Sequence, residues 1–244
     1  MITSITSLSV SPTSSTLEIG QTVQLIKNVN PSTTTEEVQW ISSNTSVATV
    51  STTGLVTARN AGIATITLKN SSGTKSATCN MTILDGYIVG SGYMSVGYAT
   101  KLDNNGNKSW ETSVYGVNAI SRTSDGGYIV GSGYMSVGYA TKLDSHGNKE
   151  WETSVYGVND ISQTSDGGYI VGSGYMSVGY ATKLDSHGNK EWETSVYGVN
   201  DISQTSDGGY IVGSGYMSVG YATKLDSHGN KEWETSVYGV NDIS

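Results

Sequence analysis

The run Tyr169-Ile-Val-Gly-Ser-Gly-Tyr175 decides the fold of the larger part of this chain, because it recurs at a fixed interval. The same Tyr-Ile-Val-Gly run begins at Tyr87, Tyr128 and Tyr210, so that consecutive copies lie 41 residues apart. A period in the forties, with several short strand patterns in each unit, is typical of a β-propeller. Near-identical units present the same surface several times, which favours binding over catalysis, since an active site needs unlike residues to converge.

Each repeat contains four strand patterns. In the copy that starts near Asn159, the predicted strands are 159–165, 169–175, 180–185 and 190–197. The turn Asp166-Gly-Gly168 separates the first two strands, a loop at 176–179 separates the next two, and the turn 186–189 separates the last two. Four antiparallel strands in 41 residues make one propeller blade.

The repeat region, residues 85–244, predicts four blades. It opens at Gly86-Tyr87 with the second strand of a unit and ends at Asn241–Ser244 with a first strand. The terminal strand 241–244 is therefore predicted to complete the opening blade and close the ring, which removes two open sheet edges. We expect a monomeric ring. A ring merged from two chains is the alternative, because identical blades pack equally well within and between chains.

Residues 1–84 have a different composition, rich in Ser and Thr and without Asp. Short alternating patterns predict about seven strands, with Trp40 pointing inward from a central strand. The whole chain is thus predicted to be all-β, with an immunoglobulin-like sandwich at 1–84 and the four-bladed propeller at 85–244.

The first domain contains the phrases Val10-Ser-Pro-Thr-Ser, Trp40-Ile-Ser-Ser-Asn-Thr-Ser-Val-Ala and Gly54-Leu-Val-Thr-Ala. These phrases resemble the bacterial immunoglobulin-like group 2 (Big) family. The resemblance implies a spacer or adhesion module of bacterial surface proteins or phage virions, without catalytic residues. The phrases that begin at Ser165 and Lys183 resemble bacterial propeller repeats allied to the pyrroloquinoline-quinone and WD types, which implies the fold and says little about function.

The charge distribution limits the choice of partners. The net charge of −8 divides into +1 for residues 1–84 and −9 for the rest, which argues against a nucleic acid or an anionic membrane. No apolar stretch approaches the roughly 20 residues of a membrane span, and the N-terminus lacks the regions of a signal peptide. We expect an extracellular protein of a bacterial surface or a phage particle. The single cysteine, Cys79, is predicted to pack as a small hydrophobe.

No pattern in the sequence predicts an enzyme, a metal site or a cofactor. Asp144-Ser-His-Gly-Asn148 faintly resembles a calcium loop, but a hairpin turn accounts for each of its residues. Rotational symmetry holds the histidines His146, His187 and His228 apart. Glu150 and Glu152 lie on one strand face and are predicted to point to water.

The candidate binding residues lie in the two loops that share one face of the ring. The first loop, between strands two and three, supplies Tyr93, Tyr134, Tyr175 and Tyr216. The second loop, between strand four and the next strand one, supplies Tyr115, Tyr156, Tyr197, Tyr238, Asn118, Asn159, Asn200, Asp160 and Asp201. Tyrosines stack on sugar faces, and Asn and Asp bind hydroxyl groups.

These residues predict a non-catalytic adhesion protein that recognises cell-surface carbohydrate multivalently. Two alternatives stay open. The tyrosines are packing residues between blades, or the chain is a structural or decoration protein of a virion or cell surface, with the propeller as a rigid knob. The uniformity of the repeats fits either selection for equal sites or recent amplification.

Overall fold

A computed structural model describes residues 3–238, 240 and 243, and these residues form an all-β structure. They divide into two compact units. The first holds the residues up to Tyr87 together with Asp103–Gly106, and the second holds Ile88–Leu102 and the residues from Asn107 onward.

The first unit is built from short strands. In chain order they are β1 (Ser7–Ser11), β2 (Ser14–Glu18), β3 (Thr22–Gln24), β4 (Ile26–Asn30), β5 (Val38–Ser42), β6 (Ala48–Val50), β7 (Leu55–Ala58), β8 (Gly62–Asn70) and β9 (Ser76–Leu84). They form sheets of order β2-β9-β8-β5, β3-β7-β6 and β1-β4. The pairing of β2 with β9 is parallel, and the other pairings are antiparallel. The described part of this domain thus has nine strands, where the sequence predicted about seven.

Alternation along the strands places one set of side chains in the core of this unit. In β8, Ala64, Ile66 and Leu68 are buried while their neighbours are less so. Trp40 is buried in the same core. Gly54, at a φ of +87°, lies beneath its ring, where a Cβ atom would be 3.0 Å from the indole. Glycine at this turn therefore lets the backbone approach the tryptophan closely.

The second unit repeats one strand pattern. Its strands are β10 (Tyr87–Tyr93), β11 (Val96–Leu102), β12 (Lys108–Val114), β13 (Val117–Arg122), β14 (Tyr128–Tyr134), β15 (Val137–Leu143), β16 (Lys149–Val155), β17 (Val158–Gln163), β18 (Tyr169–Tyr175), β19 (Val178–Leu184), β20 (Lys190–Val196), β21 (Val199–Gln204), β22 (Tyr210–Tyr216), β23 (Val219–Leu225) and β24 (Lys231–Val237). We call the resulting repeat sheets I (β10–β12), II (β13–β16), III (β17–β20) and IV (β21–β24). Sheet I has three strands and the others four.

The connection between the second and third strands differs from its prediction. In sheet III, Tyr175 pairs with Val178, so β19 begins two residues before the predicted start at Tyr180. The predicted loop 176–179 is a two-residue hairpin turn, Met176–Ser177. Met176 has a φ of +57°, in the left-handed region that favours glycine. The sequence pattern did not predict this turn because the turn contains no glycine at that position.

Hydrophobic side chains fill the spaces between consecutive repeat sheets, which we call junctions. At the junction of sheets II and III, Tyr169 and Val171 belong to the same buried cluster as Ile129, Ala140 and Val155. The core of the second unit is therefore a series of equivalent layers, one for each junction, rather than a single central cluster.

A tryptophan side chain contacts the next sheet at each junction. The ring of Trp151 in sheet II lies edge-on to Tyr169 in sheet III, with the centroids 5.4 Å apart. Its Nε1–H donates to the carbonyl oxygen of Ser186 (3.2 Å), and the hydroxyl of Thr153 donates to the carbonyl oxygen of Gly188 (2.6 Å). The equivalent tryptophans at the other junctions are Trp110 and Trp192.

Among the described residues, no further repeat sheet packs on the Tyr87 side of sheet I or on the Trp233 side of sheet IV. Tyr87 is 60% exposed, although its equivalents Tyr128, Tyr169 and Tyr210 are 2% exposed. Trp233 is 47% exposed. The described residues therefore do not show the closed ring that the sequence predicts. Of the predicted closing strand 241–244, only Ile243 is among the described residues, and 241, 242 and 244 lie outside them.

Candidate functional site

Three tyrosines from consecutive repeats meet at one cavity. Tyr93, Tyr134 and Tyr175 are the last residues of β10, β14 and β18, and they line a cavity of about 220 Å³. Asn118 and Asn159, which lie on the first strands of sheets II and III, line it too. The structure thus gathers five of the predicted binding residues, and it places them in one shared cavity rather than in a separate site for each repeat.

Two of the tyrosines that line the cavity contact each other. The rings of Tyr93 and Tyr134 lie 5.3 Å apart at an interplanar angle of 68°, and their hydroxyl oxygens are 3.5 Å apart. The hydroxyl of Tyr93 raises the pKa of Tyr134 above its ordinary value. The hydroxyl of Tyr134 can both donate and accept a hydrogen bond.

The asparagine amides are anchored by the backbone. Asn118 Nδ2 donates to the carbonyl oxygens of Gly133 (3.0 Å) and Val158 (2.7 Å). Asn159 Nδ2 makes the equivalent bonds one repeat later. These bonds use both amide hydrogens of each asparagine. Among the described residues, no donor bonds to either Oδ1 atom, so each Oδ1 can accept a hydrogen bond from a ligand.

Several glycines line the cavity and allow neighbouring backbone segments to approach each other closely. A Cβ atom on Gly157 would overlap the carbonyl oxygen of Met135 in the preceding turn. Gly157 and Met135 both line the cavity, together with Gly92, Met94, Gly116, Gly133 and Gly174. Closely packed backbone therefore forms this part of the cavity lining.

The other predicted residues lie elsewhere. Tyr115, Tyr156 and Tyr197 pack against tyrosines of the next sheet at 5.5–5.7 Å, which is the packing role that was left open for them. The carboxylate of Asp160 accepts from the backbone N–H of Ile202 (3.2 Å), and Asp201 accepts from that of Ile243 (2.8 Å). The remaining candidates, Tyr216, Asn200 and Tyr238, do not line the cavity.

Sequence reasoning missed a buried lysine in sheets II, III and IV. Lys183 is 2% exposed, and its Nζ lies 3.0 Å from Asp166 Oδ2 and 3.0 Å from Glu191 Oε2. Burial lowers the pKa of Lys183, but the two carboxylates raise it above its ordinary value. The equivalent lysines are Lys142 and Lys224. The only signal in the sequence was that a lysine occupies the same position in the third strand of each repeat.

These ion pairs correct the reading of two motifs. The Asp-Gly-Gly turn is more than a tight turn, because its aspartate binds the buried lysine, and Glu191 is a partner of the same lysine rather than a purely solvated residue. Desolvation raises the pKa of Asp166, but hydrogen bonds from Thr164, Gly168 and Lys183 lower it to about 2. The pKa of Asp125 and that of Asp207 are also lowered to about 2.

The lowered pKa values predict a loss of stability in acid. A carboxyl group whose pKa is lower in the folded state contributes its full stabilisation above the unfolded value of about 3.9, and this is lost as the pH falls through the folded value. The urea midpoint of the repeat unit is therefore expected to decrease between about pH 4 and pH 2. Replacing Asp125, Asp166 and Asp207 together by asparagine is expected to flatten that decrease. An equally steep decrease in the triple variant would contradict this role.

The second hairpin turn uses its aspartate internally. Asp144 Oδ1 accepts from the backbone N–H groups of His146 and Asn148, both at 2.8 Å, and Oδ2 accepts from the Asn148 amide. Within the described part of the chain there is no group of three or more His, Cys, Asp or Glu side chains placed to hold a metal ion. A search of the same residues for a helix of membrane-spanning length and hydropathy also finds none.

Comparison with known families identifies the first domain. Residues 4–81 match the bacterial Ig-like domain (group 2). This match confirms the resemblance of the first domain, including its sandwich class, and it fits a surface protein. The match ends at residue 81 and does not extend into the repeats. A search of curated protein sequences finds no match.

Similar solved structures are distant. A protein of unknown function from Bacteroides caccae is 15% identical, with 63% of this chain and 58% of that chain covered and a TM-score of 0.44. A quinonprotein alcohol dehydrogenase-like protein from Bacteroides thetaiotaomicron is 11% identical (93% and 70% covered, TM-score 0.39). The S-layer protein rSbsC(31-844) is 17% identical (84% and 26% covered, TM-score 0.32). This chain therefore spans less than two thirds of the first and third of these proteins.

Proposed function

We propose that this chain is a non-catalytic binding protein displayed on a bacterial surface, and that its cavity recognises cell-surface carbohydrate. In this proposal the repeat sheets are blades of a propeller, and the Ig-like domain is the spacer that presents them. The single observation that carries the proposal is the convergence of Tyr93, Tyr134 and Tyr175 with Asn118 and Asn159 on one cavity of about 220 Å³.

The chemistry of the cavity supports a neutral, hydroxyl-rich ligand. Tyrosine rings offer apolar faces to the C–H groups of a sugar, and their hydroxyls bind its polar edge. The Oδ1 atoms of Asn118 and Asn159 accept hydrogen bonds from sugar hydroxyls. No Lys, Arg, Asp or Glu lines the cavity among the described residues, which favours a neutral glycan over a charged one.

The cavity, rather than the single repeat, is the unit of recognition. Three repeats contribute to it, so each chain is expected to bind weakly and to gain avidity when many copies are displayed on one surface. Linkage of weak sites increases overall affinity by about a hundredfold or more when the geometry allows simultaneous binding.

A glycan array followed by calorimetry tests the proposal. The chain is expected to bind one class of neutral glycan, and replacing Tyr134 by alanine is expected to reduce the affinity at least about fivefold, since an aromatic contact is worth about 1 kcal/mol. Tyr238→Ala is the matched control, because Tyr238 is 84% exposed and does not line the cavity. Binding to no glycan, or equal losses in the two variants, would rule out a sugar site in this cavity.

The alternative is a structural or decoration protein with the repeat unit as a rigid knob. It is favoured by the use of Asn118, Asn159 and Asp160 in hydrogen bonds between sheets, because these residues then serve the architecture. Imaging of the intact cell surface or virion distinguishes the two functions. A chain that forms a regular shell and binds no glycan supports the structural role.

A further inference from the structure

The exposed faces of sheets I and IV are the two halves of a junction. Sheet IV presents Trp233 in the position where Trp192 of sheet III meets Tyr210. Sheet I presents Tyr87 and Val89, which are 60% and 43% exposed, where the equivalent Tyr210 and Val212 are buried. Since the sequences of the two faces are those of the buried junctions, the faces are complementary to each other.

The end of the described chain supplies a third matching element. Val240 accepts a hydrogen bond from Asn200 Nδ2 (2.6 Å), as Val199 does from Asn159 one repeat earlier (2.6 Å). The N–H of Ile243 donates to Asp201 (2.8 Å), as the N–H of Ile202 donates to Asp160. Val240 and Ile243 therefore occupy the place of the first strand of a further sheet, docked on sheet IV.

Among the described residues, sheet I has no such first strand. Its order is β10-β11-β12, whereas sheets II to IV each begin with an additional strand paired to the second. In sheets III and IV the first-strand isoleucines Ile161 and Ile202 pair with Val171 and Val212. The same register, carried one repeat further, pairs Ile243 with Val89.

We propose that two copies of this chain associate head to tail. The Trp233 face of each copy, together with Val240 and Ile243, meets the Tyr87 and Val89 face of the other copy, so that each sheet I gains its missing neighbour from the second copy. Two such junctions close a ring of eight sheets, which lies within the usual range of four to eight propeller blades. The pair has twofold symmetry, because Trp233 of each copy meets Tyr87 of the other, and closure of the ring limits the association to two copies.

A second copy is the occupant because the contact continues an interface that the chain already uses. The buried junction of sheets III and IV contains a contact between a Trp and a Tyr ring and a hydrogen bond from a Thr hydroxyl to a glycine carbonyl of the next turn. It also contains a cluster of buried Val and Ile side chains. Sheets I and IV expose the corresponding residues, Tyr87, Val89 and Trp233, at the two ends of the row of sheets. The proposal does not depend on the carbohydrate function, because it involves the junction faces and not the cavity.

Cysteine cross-linking tests the register in trans. Two singly substituted chains, Val89→Cys and Ile243→Cys, are prepared in a Cys79→Ala background and mixed under mild oxidation. Because directly opposed residues of paired strands bring their Cβ atoms within disulfide range, a disulfide-linked pair of twice the 25.7 kDa chain mass is expected from the mixture. Absence of the mixed pair, with an internal disulfide in a chain that carries both substitutions, would show closure within one chain and overturn the proposal.

Sedimentation equilibrium supplies an independent measurement. The unmodified chain is expected to sediment as a concentration-dependent pair. Trp233→Ala is expected to weaken that association on the order of a thousandfold, since each ring contains the altered residue twice and one such contact is worth roughly thirtyfold. Folding of this variant is checked by circular dichroism. A monomer at every concentration, a species larger than the pair, or a Trp233→Ala pair as tight as the original would each overturn the proposal.

Discussion

Replacing Trp192 by alanine is expected to lower the free energy of unfolding of the repeat unit by about 3 kcal/mol. The indole lies edge-on to Tyr210 with the centroids 5.4 Å apart, and its Nε1–H donates to the carbonyl oxygen of Ser227 (3.3 Å). The substitution removes this contact and leaves a cavity at the junction of sheets III and IV. Because a stack of sheets is stabilised by neighbour contacts, the loss is expected to weaken one junction and to separate the unfolding of its two sides.

The repeats provide an almost perfect control for this experiment. Trp233 has the same sequence neighbours as Trp192, but it is 47% exposed and has no following sheet in the described chain. In dilute, monomeric protein, Trp233→Ala is expected to cost less than about 1 kcal/mol. Urea unfolding monitored by circular dichroism measures both variants. Equal losses would mean that the tryptophan stabilises its own sheet rather than the junction.

Replacing Gly198 by alanine is expected to destabilise the repeat unit by about 3 kcal/mol or more. A Cβ atom at this position would overlap the carbonyl oxygen of Met176, which belongs to backbone and has little freedom to move. Relief of the overlap requires the turn Met176–Ser177 to move away from the connection between β20 and β21. Hydrogen exchange is expected to increase at both segments.

Gly208→Ala separates steric overlap from backbone strain. Gly208 has a φ of +85°, and no atom lies within 4 Å of the place that its Cβ would take. Its replacement is expected to cost about 1 kcal/mol, the usual penalty for an alanine in the left-handed region. If the two alanine variants lose equal stability, the close approach at Gly198 is not what requires glycine there.

The sequence determined the local structure of the repeats well because their signals are local. Strand alternation and the Asp-Gly-Gly turn predicted the second strand, and the structure has it at Tyr169–Tyr175 as predicted. The two-residue turn at Met176 was missed because a residue other than glycine holds the left-handed conformation there. Whether the ring closes could not be predicted from the sequence. Closure depends on the rotation between successive sheets, and no residue pattern specifies that rotation directly.

The candidate site was predictable only in part. Shared loops predicted that Tyr134 and Asn159 lie near one another, and the cavity contains both. Sequence could not distinguish Tyr134, which faces the cavity, from Tyr156, which packs on Tyr180, because both are tyrosines in adjacent loops. The triad of Lys183, Asp166 and Glu191 was missed because its members come from three different segments, and only the register of the sheet brings them together.

The equivalence of the junctions has a genetic consequence. Unequal recombination between the near-identical coding segments adds or removes whole periods of 41 residues. Such a change leaves a tryptophan beside a matching tyrosine at each remaining junction, so the altered gene product keeps the packing of its junctions. A change by a fraction of a period shifts the strands against their neighbours and exposes the cores. Lineages that carry this gene are therefore expected to differ in repeat number, in steps of one complete period.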